Sequence, residues 1–244
     1  MVIESVQNEK IKYFKKLRET KYIKVYKEFI VEGEHLVEEA IKNGVALELI
    51  VLNGKDYNTN LPKIFVSENV LKSISTLKTP QYVMALCKIP SNNEIKGSRI
   101  LLLDNVSDPG NLGTIIRSSV AFNIDTIILS EDSVNLYNDK VVRSSEGMIF
   151  NINIITMNLS DAINEIKNKG IKVYGTDLRG SEYLHEFDKP SSFALIVGNE
   201  GQGMKKEILD LCDEKIKIEM NNSCESLNVG VATSIILYEW SKYE

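Results

Sequence analysis

The sequence has few cysteines and histidines and no long hydrophobic run. Its three cysteines, Cys87, Cys212 and Cys224, and its two histidines show no spacing typical of a metal site. We therefore expect reduced thiols, no bound metal and a cytoplasmic location. No apolar run approaches the roughly 20 residues of a membrane helix, and the first residues lack the apolar segment of a secretory signal. We expect no membrane partner.

What the sequence does contain is typical of an ordinary globular protein. The 244 residues are 43% hydrophobic and 26% charged, with a net charge of −5, which excludes fibrous, disordered and disulfide-framework classes. The charge is unevenly spread. Residues 1–97 hold 15 basic and 12 acidic residues, a net charge of +3, whereas residues 98–244 hold 14 basic and 22 acidic residues, a net charge of −8.

Basic residues are concentrated near the beginning of the chain, where aromatic residues interrupt them. The basic residues are Lys10, Lys12, Lys15, Lys16, Arg18, Lys21, Lys24 and Lys27, and the aromatic ones are Tyr13, Phe14, Tyr22 and Tyr26. Such a segment can neutralise phosphates and offer rings for base stacking. It is equally typical of a solvated helix whose apolar side faces the core, and composition alone leaves both interpretations open.

Strand and helix patterns alternate along the chain. Strands are predicted at 28–32, 47–52, 63–66, 82–89, 100–103, 126–129, 153–156, 172–175, 193–197 and 215–218, and helices at 34–43, 68–75, 112–122, 139–148, 159–169, 205–212 and 227–240. A polar break near 90–98 predicts domains at 1–94 and 95–244. Continuous apolar runs such as 100–103 are typical of parallel strands covered on both faces. We expect an α/β fold whose second domain has a mostly parallel sheet.

Two loops that follow predicted strands carry candidate functional residues. In the loop at 104–113, Asn111 is placed to cap the next helix, and Arg117 lies off the core face of that helix. Each is also compatible with a purely structural or surface role. The loop at 197–204 has three glycines and Glu200, but it matches neither the Gly-x-Gly-x-x-Gly fingerprint nor a phosphate-binding loop with Gly-Lys-Ser/Thr. A plain tight turn remains an alternative there.

The third loop, at 218–232, joins a predicted strand to the last helix. Ser226 is the expected N-cap of that helix, and Asn228 is expected one turn inside it. Small residues follow, beginning with Gly230, and they predict that another helix or loop approaches closely. Ordinary helix packing explains them equally well.

Taken together, these loops resemble the motifs of the SpoU (TrmH-type) RNA ribose methyltransferases of the SPOUT superfamily. The three motifs are Asp108–Ser119 (DPGNLGTIIRSS), Leu195–Met204 (LIVGNEGQGM) and Ile218–Ala232 (IEMNNSCESLNVGVA). Residues Asn138–Gly147 also resemble the family, and the basic first region, with Glu28–Ile41, resembles its small ribosomal-protein-like substrate-binding domain. The resemblance covers nearly the whole chain.

The resemblance implies an activity, a cofactor and an assembly. The activity is methylation of a ribose 2′-hydroxyl in RNA, ribosomal RNA first and transfer RNA second. The cofactor is S-adenosylmethionine, bound in a trefoil knot formed by the C-terminal segment, and the assembly is a homodimer through the catalytic domain. The implied catalytic residues are Asn111, Arg117, Glu200, Ser226 and Asn228. The implied cofactor-binding residues are Thr176, Gly198, Ile218, Met220 and Leu227. The RNA-binding candidates are Lys10, Lys12, Lys15, Lys16, Arg18, Lys140 and Arg143.

The third motif departs from the family pattern, because Glu219 replaces a usual proline and Asn222 a usual glycine. Asparagine tolerates left-handed backbone well, so the loop shape is expected to survive. Two other classes stay open: an RNA-binding protein without catalysis, and a nucleotide-dependent enzyme that uses the glycine-rich loop. Binding of RNA without S-adenosylmethionine would favour the first alternative, and preferential binding of NAD or ATP would favour the second.

Overall fold

A computed structural model describes residues 2–91, 93–178 and 182–241. The strands are β1 (Val2–Ile3), β2 (Glu28–Glu32), β3 (Ala46–Leu52), β4 (Lys63–Val66), β5 (Val83–Lys88), β6 (Arg99–Leu103), β7 (Thr126–Leu129), β8 (Asn153–Thr156), β9 (Val173–Thr176), β10 (Glu182–Tyr183), β11 (Phe193–Val197) and β12 (Glu214–Lys217). The α-helices are α1 (Glu9–Lys16), α2 (Thr20–Tyr26), α3 (Glu34–Lys42), α4 (Glu68–Ile74), α5 (Pro109–Ala121), α6 (Asp139–Ser144), α7 (Leu159–Asn168), α8 (Lys206–Leu209) and α9 (Val229–Trp240).

The chain forms two compact units. The small unit combines Met1–Ser91 with Asn135–Phe150, and the large unit combines Asn92–Val134 with Asn151–Glu244. The chain therefore passes between the units three times, and α6 belongs to the small unit although β7 and β8 on either side of it belong to the large one.

The small unit is built on a five-stranded sheet with the order β1-β4-β3-β5-β2. The neighbours β1, β4 and β3 are parallel, and β5 runs antiparallel to both β3 and β2. Helix α1 covers part of the sheet, because Ile11 and Phe14 are fully buried in a cluster with Ile50 and Met84. The ring of Phe14 thus belongs to the core, so the expectation that it offers a stacking surface is wrong.

Residues 135–150 pack into the small unit through aromatic contacts. The ring centroids of Phe29 and Tyr137 lie 4.7 Å apart, and those of Phe29 and Phe150 lie 6.2 Å apart. Burial raises the pKa of Tyr137 to about 12. The helix predicted over 139–148 ends early, at Ser144, because Glu146 and Gly147 both have left-handed φ angles, of 49° and 77°.

The large unit contains a seven-stranded sheet in the order β10-β12-β9-β11-β6-β7-β8, and each of its pairings is parallel. Strands β7 and β11 are buried along their whole length. The continuous apolar runs thus predicted the sheet correctly, and the predicted α/β class is confirmed. Since β6 and β11 are adjacent and parallel, the loops that follow them leave the same edge of the sheet.

Helices α5 and α9 pack against each other in the large unit, and small residues set how closely they approach. The hydroxyl oxygens of Ser118 and Ser234 lie 2.6 Å apart. A Cβ atom at Gly230 would lie 3.2 Å from Thr114 Cγ2, so a larger residue there would press on α5. Within the described ranges, no helix is both long and apolar enough to span a membrane. The same ranges hold no group of three or more metal-ligating side chains.

Candidate active site

A cavity of about 730 Å³ lies in the large unit, beyond the carboxyl ends of β9, β11 and β12. Ligands of open α/β sheets bind at this edge. The five residues proposed for the cofactor line this one cavity: Thr176, Gly198, Ile218, Met220 and Leu227. Glu200 and Ser226 line it as well, so the second and third motifs meet here although they are separated in sequence.

The loop after β11 is a compact turn whose backbone leaves no room for a side chain at Gly198. A Cβ atom there would lie 2.3 Å from Gly203 C and from Met204 N. The turn is closed by two backbone hydrogen bonds of 3.0 Å between Asn199 and Gly203, and the Asn199 Oδ1 atom accepts further bonds from the amides of Gly201 and Gln202. Glycine at position 198 is therefore required by the close approach of backbone to backbone.

Three side chains from the three motifs form a hydrogen-bonded chain, which we call the Glu200–Asn111–Asn228 chain. Asn111 Nδ2 donates to Glu200 Oε1 at 2.9 Å, and Asn228 Nδ2 donates to Asn111 Oδ1 at 2.8 Å. Asn111 uses its amide as both donor and acceptor, so neither neighbour can be lost without leaving it partly unpaired. The chain ties the loop after β11 to the beginnings of α5 and α9.

Glu200 is held as a carboxylate. It accepts hydrogen bonds from the Asp108 amide at 3.3 Å and from Ser107 Oγ at 3.2 Å, in addition to the one from Asn111. Burial acts to raise the pKa of Glu200, but the hydrogen bonds from Asn111 and from backbone N–H groups outweigh it and lower the pKa below its ordinary value. The charge of Glu200 therefore persists into mildly acidic solution.

The caps of α5 and α9 differ from those expected from the sequence. Asp108 caps α5 by accepting the Asn111 amide at 2.8 Å, so Asn111 lies inside the helix and its side chain is free to join Glu200. Asn228 caps α9 by accepting the amides of Gly230 and Val231 at 2.9 and 3.2 Å. The assignments of Asn111 and Ser226 as caps, and of Asn228 as a residue one turn inside the helix, are therefore wrong.

Arg117 is exposed on α5 and has no hydrogen-bond or ion-pair partner within the described ranges. Glu200 accepts hydrogen bonds from Ser107, Asp108, Asn111 and Asn199, and within the described ranges it makes no contact with Arg117. The guanidinium thus presents its five donors to solvent.

Several basic candidates of the small unit are engaged in contacts within that unit. Lys10 pairs with Glu48 at 2.7 Å, and Arg18 donates through Nε to the Ile74 carbonyl oxygen at 2.7 Å. The engaged group is completed by Lys12, which pairs with Glu9, and by Arg143, which pairs with Asp139 and donates to Thr76. Lys15, Lys16 and Lys140 have exposed side chains. The guanidinium groups of Arg18 and Arg143 are thus held by contacts within the small unit.

Two residues to which the sequence interpretation gave no role, Asp104 and Asn199, connect the segments that form the site. Asp104, which is buried, accepts the Lys205 amide through Oδ2 at 2.7 Å. Asn199 Nδ2 donates to the Asn105 carbonyl oxygen at 2.8 Å. Both bonds join the segment after β6 to the segment between β11 and α8. The signal for Asp104 was present, because an acid directly after a buried strand requires hydrogen-bond partners.

Variants of Asn228 separate its role as a helix cap from its role in the chain. We expect Asn228→Ala to lower the free energy of unfolding by about 1 kcal/mol, because α9 loses its cap. Asn228→Asp keeps the cap but replaces the donor to Asn111 by a carboxylate, so stability is expected to hold while methyl transfer falls. Denaturant unfolding and a methyl-transfer assay measure the two effects. Equal activity of Asn228→Asp and the unaltered protein would contradict the assigned role in the chain.

The fold and site define an α/β protein with a small-molecule cavity beyond the carboxyl ends of a parallel sheet, and comparison with known proteins identifies the family. Residues 98–238 match the SpoU rRNA Methylase family, and residues 8–85 match the MRM3-like substrate binding domain. The chain belongs to the SpoU rRNA Methylase family. The predictions of the family, of the enzyme class and of S-adenosylmethionine as cofactor are thus confirmed.

Individual relatives resemble the chain over nearly its whole length. It is 38% identical over 241 residues, covering 97% of both chains, to the Bacillus subtilis 23S rRNA (guanosine(2553)-2′-O)-methyltransferase RlmP. An AdoMet-bound rRNA methyltransferase from Sinorhizobium meliloti superposes with a TM-score of 0.87 at 27% identity, covering 98% of this chain and 97% of that one. The SpoU methyltransferase AviRb from Streptomyces viridochromogenes, with AdoMet, shares the fold at 24% identity and a TM-score of 0.88, covering 96% and 97%.

Proposed function

We propose that the protein transfers a methyl group from S-adenosylmethionine to a ribose 2′-hydroxyl of large-subunit ribosomal RNA. The observation that carries this proposal is the cavity, because residues of the second and third motifs line it together and the Glu200–Asn111–Asn228 chain adjoins it. The full-length similarity to a 23S rRNA methyltransferase favours ribosomal RNA over transfer RNA. A cytoplasmic location and a knotted C-terminal segment are parts of the same proposal.

The cavity suits a cofactor that has a positive charge and a large apolar part. Leu178, Ile218 and Leu227 supply apolar walls, and three acidic residues, Glu200 among them, line the same space against two lysines. A volume of about 730 Å³ is within the range of small-molecule sites. Thr176, Gly198, Ile218, Met220 and Leu227 would hold S-adenosylmethionine, which supplies an electrophilic methyl group when it is bound.

Arg117 would position the RNA. A ribose hydroxyl is a weak nucleophile at neutral pH and needs orientation and proton removal. A guanidinium does not lose its proton in proteins, so Arg117 cannot serve as the base. Its exposed donors fit a bidentate contact with a phosphate, which would fix the neighbouring hydroxyl and allow the phosphate oxygen to take the proton.

The Glu200–Asn111–Asn228 chain would hold the loops around the ribose. Its hydrogen bonds leave the Glu200 carboxylate charged and fix both asparagine amides, so the site is organised before RNA arrives. Ser226 contributes a hydroxyl at the cavity wall. In this arrangement Arg117 binds substrate, and the chain positions the loops.

Residues 1–94 would form the substrate-binding domain and residues 95–244 the catalytic domain, and the small unit, which also takes in Asn135–Phe150, would hold the RNA. Lys15 and Lys16 are exposed and can meet phosphates without first breaking a strong internal contact of the kind that holds Arg18, and the side chain of Lys140 is exposed as well. The match to the MRM3-like substrate binding domain supports this division.

The outer face of α9 supports a homodimer. Val231, Ile235 and Tyr238 are exposed by 46%, 38% and 60%, and their i, i+4, i+7 spacing puts them on one side of the helix. Contiguous exposed apolar side chains on a helix are typical of protein interfaces. A second copy of the chain would cover this face by packing against the same face on its partner.

Charge on this face is expected to separate the subunits. Ile235→Asp would bury a carboxylate in the dimer, and we expect the sedimentation coefficient to change from that of a dimer to that of a monomer at micromolar concentration. Leu47→Asp is the matched control, since Leu47 has a similar exposure of 36% but lies in the small unit. A monomeric unaltered protein, or a dimeric Ile235→Asp variant, would refute the proposed interface.

Transfer of a labelled methyl group tests the activity directly. The protein would be incubated with labelled S-adenosylmethionine and unmodified ribosomal or transfer RNA, and the 2′-O-methyl nucleotide would then be mapped. Label in large-subunit ribosomal RNA is the expected result. Label in transfer RNA alone would overturn the substrate, and binding of S-adenosylmethionine without transfer to either RNA would overturn the activity.

A further inference from the structure

The surface of α2 combines one exposed tyrosine ring, one half-buried tyrosine ring and positive charge. The ring centroids of Tyr22 and Tyr26 lie 6.1 Å apart with an angle of 18° between the rings, so the two rings are stacked. Tyr26 is 41% exposed and its neighbour Val25 is 72% exposed. Among the described residues of the small unit, only Leu47 is a comparably exposed large apolar side chain. The tyrosine pair is therefore an unusual surface for this unit.

Neighbouring residues of the small unit fix the position of the Tyr22–Tyr26 pair. Ile23 is buried and anchors α2 to the unit. The ring of Tyr13 meets Tyr26 edge-on, at 5.1 Å and 76°, and the Tyr13 hydroxyl donates to Glu28. Burial, followed by this contact with Glu28, raises the pKa of Tyr13, so the hydroxyl remains a donor at every physiological pH. Tyr26 thus rests on a fixed ring, which lowers the entropy that binding must overcome.

Positive charge surrounds the pair. The ammonium groups of Lys21 and Lys16 lie 4.7 and 5.7 Å from the centroid of the Tyr22 ring. Lys21 also pairs with Glu19 at 2.9 Å, and because this ion pair is exposed to solvent it is weak enough for a phosphate to replace it. Between positions 10 and 27 there are eight basic residues and one acidic residue, Glu19. Such a concentration of one charge sign beside aromatic rings is complementary to a polyanion that carries flat, apolar groups.

We propose that Tyr22 and Tyr26 form a stacking platform for an unpaired nucleobase of single-stranded RNA, with Lys16 and Lys21 contacting its phosphates. A base in a duplex has both faces covered by its neighbours, whereas an unpaired base can stack on a ring. This inference deepens the proposed function, since it names the form of RNA that the small unit binds. It predicts that the RNA substrate presents an unpaired segment to α2.

Two RNA forms and matched variants test the platform. Fluorescence anisotropy would measure binding of the full chain to an unpaired RNA of about 12 nucleotides and to the duplex of the same sequence. We expect the double variant Tyr22→Leu/Tyr26→Leu to bind the unpaired RNA about tenfold more weakly, within the range that stacking of one base provides. Binding to the duplex, which depends on the lysines, is expected to change little.

The controls separate stacking from general damage. Tyr22→Phe/Tyr26→Phe keeps the rings and is expected to retain affinity. Tyr57→Leu removes a tyrosine of the same unit that lies near Glu34 and Glu38 and is expected to change neither form of binding. Unchanged affinity of the double leucine variant, an equal loss for both RNA forms, or a failure of the phenylalanine variant to retain binding would overturn the platform.

A failure of the stacking platform can be distinguished from a failure of the proposed function. If the affinity for unpaired RNA did not depend on Tyr22 and Tyr26 but the protein still methylated ribosomal RNA in the labelling assay, only the platform would be overturned. Stacking that depends on Tyr22 and Tyr26 in a protein that methylates no RNA would leave the platform standing and overturn the activity. Affinity for S-adenosylmethionine, measured by calorimetry, is expected to stay unchanged in the α2 variants, because its cavity belongs to the large unit.

Discussion

Replacing Arg117 by alanine is expected to reduce methyl transfer by about a hundredfold or more while leaving the affinity for S-adenosylmethionine unchanged. The guanidinium is exposed and has no partner within the described ranges, so its removal should not destabilise α5. Its proposed work is to hold the phosphate beside the reacting ribose, and misplacement of a reacting group by about 1 Å can cost this much rate.

The Arg117 experiment compares single-turnover transfer with calorimetric binding of the cofactor. Arg117→Lys keeps the charge but removes the bidentate geometry, so it should recover only part of the rate. Lys172→Ala, which removes an exposed cation of the same unit that pairs with Glu214, should leave the rate unchanged. If Arg117→Ala kept substantial activity, the positioning role would be wrong.

Replacing Gly198 by alanine is expected to weaken binding of S-adenosylmethionine strongly. The new Cβ atom would lie 2.3 Å from backbone atoms of Gly203 and Met204, which cannot rotate away. Overpacking of this kind costs about 1–3 kcal/mol. If the turn, which lines the cavity, shifts to relieve this overpacking, the free-energy cost appears in cofactor binding, and the affinity falls by about 5- to 150-fold. Isothermal titration calorimetry measures this change.

Gly201 supplies a matched control in the same turn. A Cβ atom at Gly201 would meet its nearest neighbour, Asn199 Oδ1, at 3.7 Å, which is an ordinary contact. We therefore expect Gly201→Ala to bind the cofactor almost normally. Similar losses in both variants would mean that the loop is merely sensitive to any side chain, and the close approach at Gly198 would not be the cause.

The hydrophobic pattern of the sequence was sufficient to predict the strands of both sheets closely. Strands at 28–32, 63–66 and 193–197 have the predicted bounds, since apolar runs bounded by polar residues specify buried strands. The two-residue strands β1 and β10 were missed because such short pairings depend on a neighbouring strand and carry no periodic pattern. The early end of α6 depends on left-handed backbone at Glu146, a conformation that glutamate rarely adopts.

The family motifs were enough to propose the residues of the candidate site, whereas the hydrogen bonds between those residues could not be predicted from the sequence. The sequence places Asn111 and Asn228 near helix starts, but either Asp108 or Asn111 could cap α5 by propensity. Only the structure shows that Asp108 takes that role, which frees the Asn111 amide for Glu200 and Asn228. Hydrogen bonds between residues separated by about a hundred positions depend on tertiary structure and leave no local trace.

The division of the small unit into Met1–Ser91 and Asn135–Phe150 has a consequence for how the two units can be exchanged between proteins. Deleting the first 91 residues would strip Phe29 from Tyr137 and Phe150, and His35 from the Glu146 carbonyl oxygen that lies 3.1 Å from its Nε2. Removing the small unit by a cut before β6 would therefore leave the aromatic rings of residues 135–150 without their partners. An exchange of the small unit has to include residues 135–150, in the crossover between β7 and β8, as well as the first 91 residues.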